Sequence, residues 1–110
     1  MSLNHVVIAK ILDKINLRQE LRLACRFLLE VNEHDGYDLL IRARDQSSAD
    51  AIARLGVDLI CCAASVIPMR YLMVWGPRNG RPLIFPAKEI LSQLKVHQLT
   101  VSDNVLDFKT

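Results

Sequence analysis

Apolar residues recur at helical spacing through the N-terminal part of the chain. A first set comes at every fourth position: Leu3, Val7, Ile11 and Ile15. A second set continues the repeat on a shifted face: Leu17, Leu21, Ala24 and Leu28. Residues three or four positions apart lie on one side of a helix, so this pattern predicts a single long helix over residues 3–31.

The apolar side of this predicted helix is wider than one packing partner requires. Further apolar residues extend it: Val6, Ile8, Leu12, Leu23, Phe27 and Leu29. A small fold cannot cover so wide a surface, and a large exposed apolar patch usually marks an interface. We therefore predict a homodimer formed through this helix. The predicted interface residues are Leu17, Leu21, Ala24, Phe27 and Leu28.

Turn-forming polar residues around Gly36 end the helical pattern. The next segment, residues 37–44, fits either a short helix or an extended piece, and both interpretations remain open. Ser47, with Asp50 three positions later, resembles a capping box, and Gly56 fits the C-terminal end of a helix. These signals predict a helix between Ser47 and Gly56.

Two more helices are predicted in the following part of the chain. Asp58 fits the N-cap of a short helix over residues 59–64. Pro68 fits the first turn of a second helix that runs to Trp75, because a proline at that position loses no hydrogen bond. With Gly56 at a turn, the region superficially resembles a helix-turn-helix.

The C-terminal part combines a short extended segment with a final helix. Residues 81–85 fit the extended segment. Pro86 fits the start of a helix that has four apolar residues on one side: Ala87, Ile90, Leu91 and Leu94. Residues 98–110 are weakly patterned and are predicted to form a tail.

These elements together predict a mainly α fold. We expect a small helical bundle with a long N-terminal helix, a helix-turn-helix-like C-terminal half and one short extended segment. The length of 110 residues suits one domain over residues 1–110. Its predicted parts are a long helix and dimerisation region (1–46), a helix-turn-helix-like region (47–97) and the tail (98–110).

Composition places the chain among globular cytoplasmic proteins. Apolar residues make up 51% of the chain, which excludes intrinsic disorder. No stretch approaches the run of about 18 apolar residues that spans a membrane, and the N-terminus has no signal-peptide pattern. The cysteines, Cys25, Cys61 and Cys62, lie in apolar contexts and suit buried small side chains in a reducing cytoplasm, with an intermolecular disulfide as the alternative.

Groups that could perform catalysis or hold a metal are scattered. His5, His34 and His97 are far apart and have no metal-ligand spacing to cysteines or acids. The acidic cluster at residues 33–35 occupies a polar turn. The chain also has no glycine-rich phosphate loop and no nucleophile motif. We therefore predict a protein that is not an enzyme and that uses no cofactor or metal.

Basic residues outnumber acidic ones within residues 65–97, although the net charge of the whole chain is only +2. If this region binds DNA, residues 59–64 cannot be the reading helix, because the sequence LICCAA has no donor or acceptor for base edges. That segment should be buried. The helix from Pro68 to Trp75 is then the candidate reader, with Arg70 near its N-terminal end.

A polar loop follows this candidate reading helix and suits phosphate contacts. The predicted DNA-binding residues are Arg70, Arg78, Asn79 and Arg81. Two alternatives remain open for the loop: an ordinary solvated turn, or a surface that contacts an acidic protein.

Several stretches of the chain, taken in order, are similar to a known family. The matching pieces are "INL" (Ile15–Leu17), "LRLACRFL" (Leu21–Leu28), "ADAIARLGVD" (Ala49–Asp58), Pro68, Phe85 and the pair Gln93-Leu94. Through them the chain resembles FlhD, one subunit of the bacterial flagellar master transcriptional activator. The segment between residues 30 and 49 is longer than in typical FlhD. This difference favours a divergent relative, such as the FlhD-like activator subunits of conjugative elements.

The resemblance implies a mostly α-helical protein that dimerises and joins an FlhC-like subunit. Together they would bind promoter DNA of flagellar or conjugative-transfer genes and recruit RNA polymerase. In that family the FlhC subunit carries the metal, so the resemblance implies no cofactor in this chain. The alternative function is a protein–protein adaptor or anti-regulator that makes no direct contact with DNA.

Overall fold

A computed structural model describes residues 3–32, 36–77 and 80–95, and these residues form an α/β fold. The elements in chain order are α1 (Leu3–Ile15), α2 (Gln19–Ala24), β1 (Cys25–Asn32), β2 (Gly36–Ala43), α3 (Gln46–Arg54), α4 (Gly56–Ala64), β3 (Met69–Trp75), β4 (Leu83–Pro86) and α5 (residues 87–95). The prediction of a mainly α helical bundle is therefore wrong.

The four strands form one mixed sheet in the order β1-β2-β3-β4. Strands β1 and β2 are antiparallel, β2 and β3 are parallel, and β3 and β4 are antiparallel. Parallel neighbours need a crossover connection, which helices α3 and α4 supply here. Helix α1 packs against α4 and β1, while α3 and α4 both contact β3. The result is a layer of helices on a four-stranded sheet.

Helix α1 ends at a left-handed turn. Asn16 adopts φ 57°, a conformation that asparagine tolerates better than most residues and that often closes helices. The backbone N–H of Asn16 donates to Asp13 O at 3.1 Å, and that of Leu17 donates to Leu12 O at 3.0 Å. These bonds satisfy carbonyl groups at the end of the helix and turn the chain sharply.

Arg22 fixes the corner between α1 and α2. Its guanidinium donates to Leu17 O at 2.9 Å, to Leu12 O at 3.1 Å and to the Asp13 carboxylate at 3.1 Å. The corner therefore holds two short helices at an angle. The predicted single helix over residues 3–31 is wrong, because the chain turns after Ile15 and then becomes extended at Cys25.

The segment from Cys25 to Asn32 is a strand because its side chains alternate between core and solvent. Cys25 and Leu29 are buried and Phe27 is half-buried, whereas Arg26 and Leu28 are exposed. A period of two residues suits a half-buried strand. The neighbouring segment, which the sequence left open between helix and extended structure, is extended as β2.

Strand β3 occupies the segment predicted as a reading helix from Pro68 to Trp75, and that prediction is wrong. Pro68 lies just before the strand, and its carbonyl accepts a hydrogen bond from the N–H of Tyr37 at 2.9 Å. The strand is rich in aromatic and branched side chains, which favour a pleated sheet. Leu72 and Val74 of this strand are buried.

Helices α3 and α4 follow each other closely, but they do not form a DNA-reading pair. The residues of α4 that pack into the core are Gly56, Leu59, Ile60 and Ala63. Burial is therefore confirmed for Leu59, Ile60 and Ala63, whereas Cys61 is exposed. Gly56, however, begins α4 instead of ending α3, because Leu55 already closes the preceding helix with N–H bonds to its last turn.

The extended segment and the final helix predicted in the C-terminal part are both present in the structure. Strand β4 overlaps the predicted extended segment, and residues 87–95 are helical directly after Pro86. Ala87 is fully buried, and the other three residues of the predicted apolar side are half-buried: Ile90, Leu91 and Leu94. The predicted tail lies outside the described residues. Within the described ranges, no helix has both the length and the apolar content to span a bilayer.

Asp45, and not the predicted Ser47, caps α3. Its carboxylate accepts a hydrogen bond from the Ser48 N–H at 2.7 Å, and the hydrogen bonds from Ser48 lower the pKa of Asp45. Because the pKa is lower in the folded state, the stabilisation is fully present above the unfolded pKa and is lost as the pH falls through the folded pKa.

We therefore expect Asp45→Ala to lower the melting temperature at neutral pH, while Asp45→Ser retains a cap. The difference between wild type and Asp45→Ala should shrink below about pH 4. Thermal unfolding followed by circular dichroism across this range measures it, with Asp50→Ala, an exposed carboxylate in the middle of the same helix, as the control. A difference that persists unchanged at low pH would contradict the role of the ionised cap.

Candidate functional site

The sheet has one covered face and one open face. Strand register places one set of alternate side chains against the helices, and these form the centre of the core: Leu29, Leu39, Ile41, Leu72 and Val74. The other set points away from the helices. Helices α1, α3 and α4 contact the sheet through the first set, and most side chains of the second set are exposed or half-buried, so we call the second set the open face.

Side chains on the open face lie in rows that cross the strands. The basic row consists of Arg26, Arg42 and Trp75, which are neighbours in the register of β1, β2 and β3. The apolar row beside it consists of Leu28, Leu40, Met73 and Ile84. A third row, the carboxylate row, consists of Glu30, Asp38, Tyr71 and Pro86.

The basic row brings two like charges together. Arg26 and Arg42 are directly opposite each other on neighbouring antiparallel strands, and both are exposed. Like charges in that position destabilise a sheet. Among the described residues the ion pairs are Arg22 with Asp13 and Arg70 with Asp38, so neither arginine of the row has a carboxylate partner there.

Trp75 completes the basic row with a half-buried indole ring. The guanidinium carbon of Arg42 lies 5.7 Å from the centre of this ring, within the range of a cation–π contact. One shallow cavity of about 580 Å³ is lined by the basic row, Arg26, Arg42 and Trp75, together with side chains of the apolar row. The cavity therefore has cationic, aromatic and aliphatic walls.

Further basic residues lie near this end of the sheet. Arg44 is exposed just after β2, where its backbone N–H donates to Ala24 O at 2.7 Å. Arg81 is exposed shortly before β4. Both therefore add positive charge close to the strand ends that carry Arg42 and Trp75.

The apolar row leaves hydrocarbon in contact with water. Leu28 and Ile84 are each 53% exposed, and Leu40 and Met73 between them are half-buried. Single exposed apolar side chains are ordinary on protein surfaces, but four neighbours across one sheet form a continuous strip. This strip separates the basic row from the carboxylate row.

Arg70 makes an internal ion pair in the carboxylate row. Asp38 is only 5% exposed, and its carboxylate accepts hydrogen bonds from Arg70 Nε at 2.9 Å, from Arg70 Nη2 and from the Tyr71 N–H at 3.2 Å. The register slips between Tyr37 and Asp38, so Arg70 is an extra residue in β3 that forms a bulge. The guanidinium also lies 4.8 Å from the centre of the Tyr71 ring.

The structure separates the residues predicted to bind DNA. Arg70 is bound to Asp38 of the carboxylate row, whereas Arg81 is exposed near the opposite end of the sheet. The predicted contacts at Arg78 and Asn79 lie outside the described residues. The basic row itself was missed because its three members are distant in sequence and become neighbours only through strand pairing.

The predicted dimer interface is mostly interior. Leu17, Leu21 and Ala24 are buried in the core of the single chain, and Phe27 is half-buried against it. Leu28 alone of the five is exposed, on the open face. The apolar arc that suggested an external partner is therefore largely covered by the sheet and by the helices α3 and α4.

The cysteines differ from one another in accessibility. Cys25 is buried, Cys62 is half-buried and Cys61 is exposed, so the prediction of three buried side chains is wrong for Cys61. Partial burial of the sulfur, with the charge of Asp58 nearby, raises the pKa of the Cys61 thiol. A raised pKa leaves little thiolate at neutral pH, which disfavours a nucleophilic role.

Metal ligands do not converge within the described residues: no group of three His, Cys, Asp or Glu side chains there is placed to hold an ion. The acidic turn at residues 33–35 and His97 lie outside the described part. What the described surface does bring together is a set of cationic and aromatic groups, which suit an anionic or aromatic ligand.

Comparisons with protein-family models, with curated proteins and with solved structures find no match to this chain. The resemblance to FlhD therefore remains a prediction. Two of its matching regions, Leu21–Leu28 and the segment after Pro68, contain strands where the resemblance implied helices. The open face thus offers the firmer basis for a functional proposal.

Proposed function

We propose that this protein binds single-stranded nucleic acid across the open face of its sheet. In the complex the basic row contacts phosphates and Trp75 stacks on a base. The observation that carries the proposal is the pair Arg26 and Arg42: two exposed guanidinium groups oppose each other without a carboxylate partner among the described residues, beside the half-buried indole of Trp75.

A phosphate group relieves the repulsion within the basic row. Two unit charges about 5 Å apart in a water-like dielectric repel by about 0.8 kcal/mol. A phosphate between Arg26 and Arg42 replaces this repulsion with two attractions, and a guanidinium can donate two parallel hydrogen bonds to phosphate oxygens. The row is therefore better stabilised with an anion than without one.

The neighbouring side chains suit bases. An exposed aromatic ring on a sheet is a stacking surface for unpaired bases, and such stacking tolerates any sequence because every base has a flat face. Trp75 is at one end of the basic row, and Met73 and Leu40 continue the apolar surface beside it. A strand of nucleic acid can thus place its backbone on the arginines and its bases on the tryptophan and the apolar row.

The shape of the open face favours a single strand over a duplex. Four strands at a spacing of about 4.8 Å make a surface about 14 Å across between the outer strands. The major groove is about 12 Å wide and admits a helix or a two-stranded ribbon, not a broad sheet. A single strand, in contrast, lies on a sheet with its bases turned toward the protein.

The finer predictions from the sequence stay predictions. An activator role at promoters, with an FlhC-like subunit and RNA polymerase, requires contacts that the described residues neither support nor oppose. A protein–protein adaptor is the second candidate function, and the exposed apolar row favours it, because Leu28 and Ile84 offer hydrocarbon to a partner. The oligonucleotide titration below distinguishes these candidates.

The test is a titration of the purified protein into a fluorescein-labelled single-stranded oligonucleotide and into the duplex of the same sequence. We expect tighter binding to the single strand and quenching of the intrinsic fluorescence of Trp75, the only tryptophan in the chain. Trp75→Ala should weaken binding about tenfold, since a stacked base contributes about 1–3 kcal/mol. Arg42→Ala should reduce the salt slope by about 0.7.

The matched control is Arg54→Ala, which removes the same charge from an exposed position at the end of α3. This variant should retain wild-type affinity within about twofold, because its charge lies on the helical side of the protein. Equal losses in Arg42→Ala and Arg54→Ala would show binding through net charge alone and contradict the proposal. Absence of binding to either oligonucleotide at low salt would also contradict it and favour the adaptor.

A further inference from the structure

Strand β1 is an edge of the sheet, and its outer side is not paired with any described strand. It pairs with β2 continuously over its 8 residues, without a bulge or a proline. Long, regular edge strands present backbone donors and acceptors to other strands, and natural proteins usually interrupt or cover them. One acceptor of this outer side is occupied in the single chain: the carbonyl of Leu29 accepts a hydrogen bond from the Asn4 side chain at 3.2 Å, and a paired strand has to share or displace that bond.

The exposed side chains of β1 have a symmetric order of charge. On the open face, Arg26, Leu28 and Glu30 follow one another at every second position, and all three are exposed. A cation and an anion therefore lie at equal distances on either side of an exposed leucine. A sequence of this kind is complementary to itself when it is read in the opposite direction.

We propose that two copies of this chain pair through β1, antiparallel, about a twofold axis at Leu28. In this register Leu28 is opposite Leu28 of the second copy, and Arg26 is opposite Glu30 of the second copy, twice in the dimer. Opposite charges and apolar pairs in directly facing positions stabilise antiparallel strands. The two sheets join into one of eight strands, with the open faces on the same side.

The covered side of the strand fits the same register. Phe27 is opposite Leu29 of the second copy, and Val31 is opposite Cys25 of the second copy. Val31 is 68% exposed in the single chain, so this pairing covers one of its most exposed apolar side chains. Both faces of the paired strands therefore match in polarity.

Other registers lose the complementarity. Antiparallel registers that keep the two open faces together can be centred on any residue of β1. Centring on Phe27 or on Leu29 places the charged side chains opposite apolar or amide groups. Centring on Arg26 or on Glu30 places like charges opposite each other, which destabilises the pair. Among these registers, the one centred on Leu28 is therefore the one that places both Arg26 and Glu30 opposite a residue of opposite charge.

This interface differs from the helical one that the sequence predicts. Of the predicted interface residues, Phe27 and Leu28 lie within the proposed contact, and the other three are interior to the single chain. The pairing shares one residue with the proposed nucleic-acid surface, because Arg26 faces Glu30 of the second copy. It leaves Arg42 and Trp75 of both copies accessible on the common open face.

Charge reversal tests the register. Arg26→Glu places two glutamates opposite each other across the interface, and Glu30→Arg places two arginines opposite each other. We expect each variant alone to associate about tenfold more weakly than wild type. Mixing the two variants should restore dimers, because every charged pair in the mixed dimer is attractive. Sedimentation velocity at several concentrations measures association, and native mass spectrometry identifies the mixed dimer.

Arg18→Glu and Glu20→Arg are the matched controls, because both positions are exposed but lie before β1. These two variants should associate like wild type, alone and mixed. Thermal unfolding confirms that each variant is folded. A wild-type protein that stays monomeric at tens of micromolar, or a mixture that forms no mixed dimer, overturns the proposal. The sedimentation experiment contains no nucleic acid, so it tests the pairing separately from the oligonucleotide titration. A protein that is monomeric but binds the oligonucleotide contradicts the pairing and leaves the proposed function standing.

Discussion

Replacement of Arg70 by alanine is expected to lower the free energy of unfolding by about 2–3 kcal/mol and the melting temperature by about 10 °C. The reason is the Asp38 carboxylate, which is 5% exposed and loses two of its three hydrogen bonds in this variant. A buried charge left without its partner costs about 3–5 kcal/mol, and the value here is lower because Arg70 itself is partly exposed. Urea denaturation at neutral pH measures the loss.

The double variant Arg70→Met with Asp38→Leu separates the ion pair from ordinary packing. Removal of both charges leaves no buried carboxylate, so the double variant should recover much of the stability that Arg70→Ala loses. Arg54→Ala is the control for removal of a solvated arginine and should stay within about 0.5 kcal/mol of wild type. An Arg70→Ala protein as stable as this control would contradict the ion pair.

Replacement of Gly56 by valine is expected to destabilise the protein by about 3 kcal/mol through overpacking. Gly56 is buried at the start of α4, and a Cβ atom there would lie 2.4 Å from Cε2 and 2.6 Å from Cζ of Phe85. The ring cannot move away easily, because Phe85 is a strand residue packed against the core. Gly56→Ala should have a smaller effect, since a gain in helix propensity of about 1 kcal/mol offsets part of the clash.

A second substitution shows whether the ring is the cause. Phe85→Ala removes the atoms that the new side chain meets, so Gly56→Val should cost much less in that background than in wild type. Cys61→Val, at an exposed site of the same helix, measures the cost of a branched side chain without the clash. Equal costs of Gly56→Val with and without the Phe85 ring would contradict contact with this ring as the cause.

The sequence predicts the second half of the helical layer better than the first. The apolar character of residues 59–64 indicates burial, and the structure confirms it for Leu59, Ile60 and Ala63 but not for Cys61, which is exposed. Pro86 and the apolar positions after it also indicate the last helix correctly. In both cases the local pattern and the tertiary contacts favour the same structure.

The local pattern of apolar residues is not sufficient to predict the strands. The apolar residues from Leu21 to Leu29 fit a helical period, which the structure keeps only as far as Ala24. From Cys25 onward they follow the alternation of a strand. Tertiary pairing decides between these, because β2 supplies a partner along the whole of β1. Pro68 likewise fits a helix start as well as a strand entry, and the sheet position of Met69–Trp75 depends on its contacts with β2 and β4.

The candidate site depends entirely on how strands β1, β2 and β3 pair with one another. Arg26, Arg42 and Trp75 belong to three strands, and no spacing along the chain marks them as neighbours. Arg70, which did attract attention in the sequence, is bound internally to Asp38, a residue 32 positions away. A prediction that places the segment after Pro68 on a helix finds neither the basic row nor the ion pair of Arg70 with Asp38.

The most direct test of the central claim maps the bound nucleic acid onto the protein. Two-dimensional ¹⁵N NMR spectra recorded during titration with the single-stranded oligonucleotide report each backbone amide and the single indole N–H of Trp75. The open-face account predicts that the largest shift changes occur at Trp75, Arg42, Arg26 and Met73, with little change at exposed positions of α3 and α4. Changes concentrated on those helices, with the indole signal unmoved, would contradict it.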